Sequence, residues 1–264
     1  KPDSEGIINP EDIRAAICDR TILITVMYAN NEIGTIQPIK EIGDICREKG
    51  VIFHTDAVQA FGQLTIHVED MCIDLLSASA HKIHGPKGVG LLYVRTGIPI
   101  LSFVHGGAQE RGRRAGTENV PGIVGFGTAA KIAWEKMGEN RKRKRELRDY
   151  FVDRLEREIP DCRLNGSRTN RLPGNVNISF RGIEGESALI RLDMQGICAS
   201  AGSACTSGSL EPSHVLLAMG MEPDMARASI RMTFSEENNN AEADFVVECL
   251  KKIVDSLRKT LDLG

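Results

Sequence analysis

The sequence predicts an α/β fold built on a mostly parallel sheet, and three observations support it. Short apolar runs typical of buried strands alternate with amphipathic segments of helical period in the first part of the chain. Polar residues follow the ends of three of these runs. The 264 residues are 41% hydrophobic, which is enough to bury a sizeable core in one large or two modest domains.

The first part of the chain is predicted to alternate helix and strand. A helix begins at Pro10, because Asn9 is a good N-cap and proline suits a first helical turn. A second helix begins at Pro38 and stops at Gly50, the residue type that most often follows a helix. Strands are predicted over the apolar runs 22–28, 51–55, 73–79 and 89–94. The first run is continuously apolar, as expected of a strand covered on both faces.

The rest of the chain predicts a second domain. The pattern is helical from Pro121 through Trp134, breaks near Gly138 and resumes after five basic residues at 141–145. Acidic residues follow this basic run and no aromatic residues are interleaved, so it indicates a solvated helix face. We place a domain boundary at Gly138, between a large domain of residues 1–138 and a smaller α+β domain of residues 139–264. Strands are predicted at 175–180, near 197 and at 228–234, and helices at 186–194, 212–219 and 241–261.

Charge and cysteine content narrow the class of protein. The formal net charge of -3 and the pI near 6.1 give no general attraction to nucleic acid or to an anionic membrane. No apolar run is as long as a bilayer span. The seven cysteines contain no CxxC pair and no close Cys/His spacing, which argues against a disulfide framework and a zinc site. We therefore expect a cytoplasmic globular protein that binds no nucleic acid, no membrane and no metal.

Polar side chains follow three predicted strands at the carboxyl ends, where α/β sheets bind ligands. The residues are Asn31, then Asp56 and Gln59, then His81 and Lys82. Each alone is weak evidence, since Asp56 could cap a helix and Lys82 could be a solvated loop lysine. Together they match the needs of pyridoxal 5'-phosphate, which requires a carboxylate at its ring nitrogen, amides at its phenolic oxygen and a lysine that forms an imine with its aldehyde.

Two further residues carry candidate chemistry. Cys205 lies in a run of small residues, 202–208, with no apolar neighbour in sequence, which indicates an exposed loop. An incidental surface cysteine is the alternative, but beside the lysine constellation an exposed thiolate suits a nucleophile. Arg231 lies on the polar face of the strand at 228–234. A solvated arginine is the alternative there to a guanidinium fork that grips a substrate carboxylate.

Five short segments of the chain occur in an order that is specific to one protein family. They read NNEIG at 30–34, HTDAVQ at 54–59, SAHK at 79–82, GRRAGT at 112–117 and GSACTS at 202–207. Together they resemble the cysteine desulfurases, which are class-V aminotransferase-like, fold-type-I pyridoxal phosphate enzymes. The resemblance implies a partial large domain with a mostly parallel sheet and a smaller α+β C-terminal domain. It also implies that the N-terminal third of the family lies upstream of Lys1, so we expect this chain alone to retain the cofactor poorly.

The resemblance also implies a role for each candidate residue. Lys82, Cys205 and His81 would be catalytic, as cofactor tether and base, as nucleophile and as proton shuttle. Arg231, together with Asn31, would bind the substrate. The residues that bind the cofactor would be Asn31, Asp56, Gln59, Ser79, His81, Lys82 and, from the other subunit of a homodimer, Thr117.

The implied reaction converts L-cysteine into L-alanine and leaves a persulfide on Cys205. The persulfide would then pass to an iron-sulfur scaffold protein. Two alternatives stay open at this point. A class-V aminotransferase or a selenocysteine lyase would use the same lysine and aspartate, and a non-enzymatic fragment would bind partner proteins only.

Overall fold

The computed structural model of the chain describes residues 1–202 and 211–261, which fall into two units. Pro10–Tyr28 and Ile39–Met137 form one, which we call the parallel-sheet unit. Lys1–Asn9, Ala29–Pro38 and Gly138–Gly264 form the other, the antiparallel-sheet unit.

Four strands form the sheet of the parallel-sheet unit. In the order in which they lie across it, they are β1 (Leu23–Thr25), β2 (Ile52–Asp56), β3 (Leu75–Ser79) and β4 (Gly90–Val94). The first three strands are parallel, and β4 runs antiparallel to β3. Two helices precede and follow β1, α1 (Pro10–Ala16) and α2 (Ile39–Lys49). The predicted α/β fold with a mostly parallel sheet is confirmed, and the carboxyl ends of β1, β2 and β3 lie at one edge.

Helix α2 shows why this part of the prediction succeeds. Its apolar stripe, Ile39, Ile42, Ile45 and Cys46, is buried, and Gly50 follows the helix with φ of +67°. Strand β1 departs from expectation, because Ile22 is 79% exposed and Leu23 is 45% exposed. In the described residues β1 pairs only with β2, so it is an edge strand and is not covered on both faces.

The antiparallel-sheet unit is built on a three-stranded sheet. Helix α3 (Val120–Glu158) contributes its second half to this unit. The strands are β5 (Cys162–Leu164), β6 (Asn175–Phe180) and β7 (Ser229–Thr233), with β6 in the centre and all pairs antiparallel. The remaining helices are α4 (Gly185–Asp193), α5 (His214–Ala218), α6 (Pro223–Arg227) and α7 (Asn240–Leu261). The core between sheet and helices contains Phe151, Leu155, Val176, Ile178, Phe180, Leu192, Ile230, Val247, Leu250 and Val254.

Three features of the secondary structure differ from the sequence prediction. The predicted break near Gly138 is wrong, because α3 is continuous over 39 residues. One glycine costs about 1 kcal/mol in a helix, which the good helix formers on either side offset. The strand predicted near Ile197 is absent, and only an isolated bridge joins Ser200 to Arg231. The short elements β5 and α6 were not predicted, since three to five residues carry too little periodicity to detect.

The assignment of residues to units also differs from a single division at Gly138. Residues 29–38 belong to the antiparallel-sheet unit because backbone hydrogen bonds tie them to a loop before β6. Thr35 pairs with Arg171, Leu172 N–H donates to Gly34 O at 2.9 Å, and Ile36 N–H donates to Asn170 O at 2.9 Å. Among the residues described, no helix is both long and apolar enough to cross a membrane.

Candidate active site

A row of polar side chains crosses the parallel strands near their carboxyl ends. Thr25 Oγ1 lies 2.6 Å from Nδ1 of His54, and Ser77 Oγ lies 2.9 Å from its Nε2. In the strand register Thr25 is opposite His54, and Asp56 is opposite Ser77. Residues two apart on a strand share a face. The register therefore places Asp56 on the same face as the hydrogen-bonded row.

Asp56 ends β2 in a tight turn. Its Oδ1 accepts the N–H of Val58 at 2.9 Å, and no hydrogen bond reaches Oδ2 within the described part of the chain. Burial lowers the pKa of His54, while the nearby Asp56 acts in the opposite direction. A neutral imidazole donates at one nitrogen and accepts at the other, which the two flanking hydroxyls satisfy. Gln59 follows in the same turn and is half-buried.

The neighbouring strand, β3, ends in the turn that carries Lys82. This 3-10 turn spans Ala80–Ile83 and is anchored by the buried side chains of Ala80 and Ile83. Ser79 Oγ lies 2.7 Å from Nδ1 of His81. Both His81 and Lys82 are exposed. The chain thus presents an amine at the end of the strand next to the one that ends in Asp56.

Thr117 lies in the same unit, between β4 and α3. Its side chain is exposed, and no hydrogen bond connects it to Asp56 or Lys82 in the described residues. Its predicted role, at the phosphate in the other subunit of a homodimer, does not require such a contact. That role stays a prediction.

In the antiparallel-sheet unit the structure brings Arg231 and Asn31 together. Arg231 Nη1 donates to the main-chain oxygen of Asn31 at 2.8 Å. The neighbours of Arg231 in β7, Ile230 and Met232, are buried in the core. The predicted alternation along this strand is therefore confirmed, and the guanidinium faces away from the apolar side.

Two buried asparagines fix the segment that carries Asn31. Nδ2 of Asn175 and Nδ2 of Asn177 each donate to the main-chain oxygen of Glu32 at 3.2 Å. At the start of the segment, Asn30 Oδ1 accepts the N–H of Glu32 at 2.8 Å. Neither asparagine was predicted from the sequence to support the site. The available signal was two amides in a strand that is otherwise rich in apolar residues.

A buried arginine, Arg171, is hydrogen-bonded to the same segment. Arg171 is 2% exposed, and its Nη2 donates to Ile33 O at 2.5 Å and also to Asn165 O. Burial lowers the pKa of Arg171 to about 9. Its Nε and Nη1 atoms are buried and have no hydrogen-bond partner in the residues described. Burying a guanidinium without a partner for every nitrogen costs free energy. Because two of its hydrogen bonds go to main-chain oxygens, we infer that Arg171 holds residues 30–36 in one conformation.

Cys205, the predicted nucleophile, lies outside the described residues. The nearest described residues on either side are Gly202 and Glu211. Both belong to the antiparallel-sheet unit, together with Arg231 and Asn31.

Comparisons with known proteins identify the family of the chain. Residues 1–241 match the family described as aminotransferase class-V. The chain is 53% identical over 259 residues to the cysteine desulfurase IscS of Clostridium botulinum strain Hall. The aligned region covers 97% of this chain and 65% of that protein. It is 50% identical over 256 residues to a cysteine desulfurase of Nostoc sp. PCC 7120, with 97% and 64% covered.

Solved structures give the same result. A NifS-like protein superposes with a TM-score of 0.88 at 36% identity, over 96% of this chain and 67% of that one. A structure described as SspA in complex with cysteine gives a TM-score of 0.76 at 36% identity, over 90% and 66%. The chain spans about 65% of the length of the curated relatives. Its fold is that of the fold-type-I pyridoxal phosphate enzymes, and the chain belongs to the class-V aminotransferase family, within which it is similar to the cysteine desulfurases.

Proposed function

We propose that the protein is a pyridoxal phosphate-dependent cysteine desulfurase that converts L-cysteine to L-alanine and takes the sulfur onto Cys205. One observation carries the proposal: the adjacent parallel strands β2 and β3 end in a carboxyl group, Asp56, and an exposed amine, Lys82. About 50% identity to cysteine desulfurases over 97% of the chain supports the choice of reaction.

The residues at these strand ends fit pyridoxal phosphate. Asp56 Oδ2 has no hydrogen-bond donor among the described residues, and a protonated pyridine nitrogen is a donor that such an oxygen accepts. The amine of Lys82 is exposed, as an imine-forming lysine must be. When bound, the cofactor would act as an electron sink for charge at the substrate α-carbon. The other residues that would hold it are Asn31, Gln59, Ser79, His81 and the Thr117 of a second subunit.

The remaining residues would bind the substrate and move its protons. Arg231 would grip the α-carboxylate of L-cysteine, and its contact with Asn31 O would keep the guanidinium in place. The amine of Lys82 would remove the α-proton. Ser79 Oγ, at 2.7 Å from His81 Nδ1, would fix the orientation of the imidazole, so that Nε2 is the atom that carries a proton to the product.

Cys205 would perform the sulfur transfer. Its thiolate attacks the sulfur of the substrate, and the bond between that sulfur and the substrate β-carbon breaks. The electron pair of this bond stays with the carbon skeleton, which gains a proton and leaves as L-alanine. Cysteine and a thiol thus become alanine and a persulfide, with no external oxidant. We further propose that the enzyme is a cytoplasmic homodimer and passes the persulfide sulfur to an iron-sulfur scaffold protein.

A pair of cysteine variants tests the proposed function. Cys205→Ala should abolish sulfide release from L-cysteine in the presence of a reductant and leave bound cofactor unchanged. Cys198→Ala is the matched control, because Cys198 is an exposed free thiol in the same unit. Sulfide release that persists in Cys205→Ala would refute the assignment.

The length of the chain sets the conditions of this test. Since the chain spans about 65% of its relatives, the assay should be run with and without a second chain that carries the N-terminal portion of a relative. We expect the cofactor colour and the activity to appear only when that portion is supplied. A chain that binds stoichiometric cofactor and turns over alone would contradict this expectation.

A further inference from the structure

We propose that Glu32 is a positioning residue for the nucleophile, because its carboxyl group is hydrogen-bonded to the backbone stem that follows residues 203–210 and lies close to the stem that precedes them. The inference rests on the proposed function of Cys205. The upstream stem contains Ser200 and Gly202, and the downstream stem begins at Ser213. These residues and Glu32 all belong to the described part of the antiparallel-sheet unit.

The downstream stem is tied to Glu32 by a hydroxyl group. Ser213 Oγ donates to Glu32 Oε2 at 2.5 Å. The same oxygen accepts the N–H groups of Val215 and Leu216 at 3.2 and 3.4 Å, and so caps α5. A hydroxyl has one proton and two acceptor sites. The cap uses the acceptor sites and leaves the proton for Glu32, so the carboxyl group orients the hydroxyl that caps α5.

The upstream stem passes close to the same oxygen. Gly202 is buried with φ of +60°, and a methyl group on its Cα would lie 3.3 Å from Glu32 Oε2 and 3.7 Å from Cβ of Ser213. Two residues earlier, Ser200 pairs with Arg231 through backbone hydrogen bonds of 3.0 and 2.6 Å. The upstream stem is therefore held by Arg231 and lies near the carboxyl oxygen that Ser213 bonds.

Glu32 is itself held firmly enough to serve as an anchor. It is 3% exposed, and its main-chain oxygen receives the amides of Asn175 and Asn177. The preceding residue, Asn31, accepts the guanidinium of Arg231. One short segment thus links the proposed substrate grip to both stems of the nucleophile. We expect Glu32 to act through these stems, because fixing the ends of any segment reduces the number of conformations that its side chains sample.

A reversal of the hydrogen bond between positions 32 and 213 tests the proposal. Ser213→Asp retains an oxygen that caps α5, but a carboxylate has no proton to give to Glu32. Adding Glu32→Gln restores the pair in the opposite sense, because the amide at position 32 can donate to the carboxylate at position 213. We expect Ser213→Asp to lower kcat for sulfide release about tenfold or more with little change in KM, and the double variant to recover most of that loss.

A second readout does not depend on turnover. The rate at which iodoacetamide alkylates Cys205 should rise about threefold or more in Ser213→Asp and return in the double variant, as expected of a coupled pair, with alkylation of Cys198 unchanged as the internal control. An unchanged kcat and alkylation rate in Ser213→Asp, or a loss that the double variant does not restore, would overturn the proposal. If the parent protein releases no sulfide even when the N-terminal portion of a relative is supplied, the proposed function fails, and the alkylation rates still decide whether Glu32 holds the stems.

Discussion

Replacing Gly34 with alanine tests how tightly the segment that carries Asn31 and Glu32 is packed. Gly34 has φ of +75°, a conformation that costs an L-residue about 1–2 kcal/mol. The new Cβ would lie 2.5 Å from Oδ1 and 2.8 Å from Cβ of Asn175. Because Asn175 is buried on the central strand β6, its side chain must shift, which breaks its hydrogen bond to Glu32 O.

These contacts determine how much Gly34→Ala should lower the free energy of unfolding. A hydrogen bond lost with both groups buried costs about 1–3 kcal/mol, so Gly34→Ala should lower the free energy of unfolding by about 3 kcal/mol in total. Gly196 provides the matched control, since its φ is +74° and no atom of the described residues lies within 4 Å of a Cβ placed there. Gly196→Ala should therefore cost only the strain of the backbone conformation, about 1–2 kcal/mol.

Urea unfolding followed by circular dichroism measures both losses, and equal slopes would show that the unfolded states are comparable. The difference between the two variants isolates the steric cost at Gly34. Equal losses in both would refute the conclusion that Asn175 leaves no room beside this segment.

Three other predictions concern the core, the polar row and the lysine. Phe151→Ala removes a fully buried ring that meets Phe234 edge to face at a centroid distance of 5.2 Å, and should cost about 3–5 kcal/mol in the same titration. Burial lowers the pKa of His54 from its ordinary 6.5, so on acidification the unfolded chain protonates this imidazole before the folded chain does. The free energy of unfolding should therefore fall as pH drops below about 6.5. His54→Gln should flatten the dependence of the unfolding free energy on pH in this range. An unchanged pH dependence would contradict the assignment of the effect to His54. Lys82→Ala should remove the visible absorbance and alanine production of cofactor-loaded protein, whereas a yellow, borohydride-reducible variant would assign the imine to another lysine.

The elements that the sequence predicts well are those with local signals. Helix α2 has a proline before it, an apolar stripe and a glycine after it, all within a few turns. Asp56 and Lys82 could be assigned to neighbouring strand ends because an α/β pattern puts the carboxyl ends of successive parallel strands at one edge. The roles of these residues stay predictions.

The features that the sequence does not reveal depend on contacts between distant residues. The continuity of α3 through Gly138 is decided by its flanking residues and packing, and a lone glycine is too weak a signal to end a helix. The segment around Thr35 joins the antiparallel-sheet unit through its pairing with Arg171. Glu32 reads in sequence as an ordinary loop residue. Its link to Ser213 becomes visible only once the chain is folded.

The most direct test of the account is a mass measurement on the peptide that contains Cys205. The cofactor-loaded protein, with the N-terminal portion of a relative supplied, is mixed with L-cysteine without reductant, digested and analysed alongside the alanine formed. We predict that the Cys205 peptide gains the mass of one sulfur atom, in proportion to alanine in the first turnover, and that peptides with Cys18 and Cys198, both exposed, do not. Alanine formed without sulfur on Cys205, or sulfur on another cysteine in its place, would contradict the central claim.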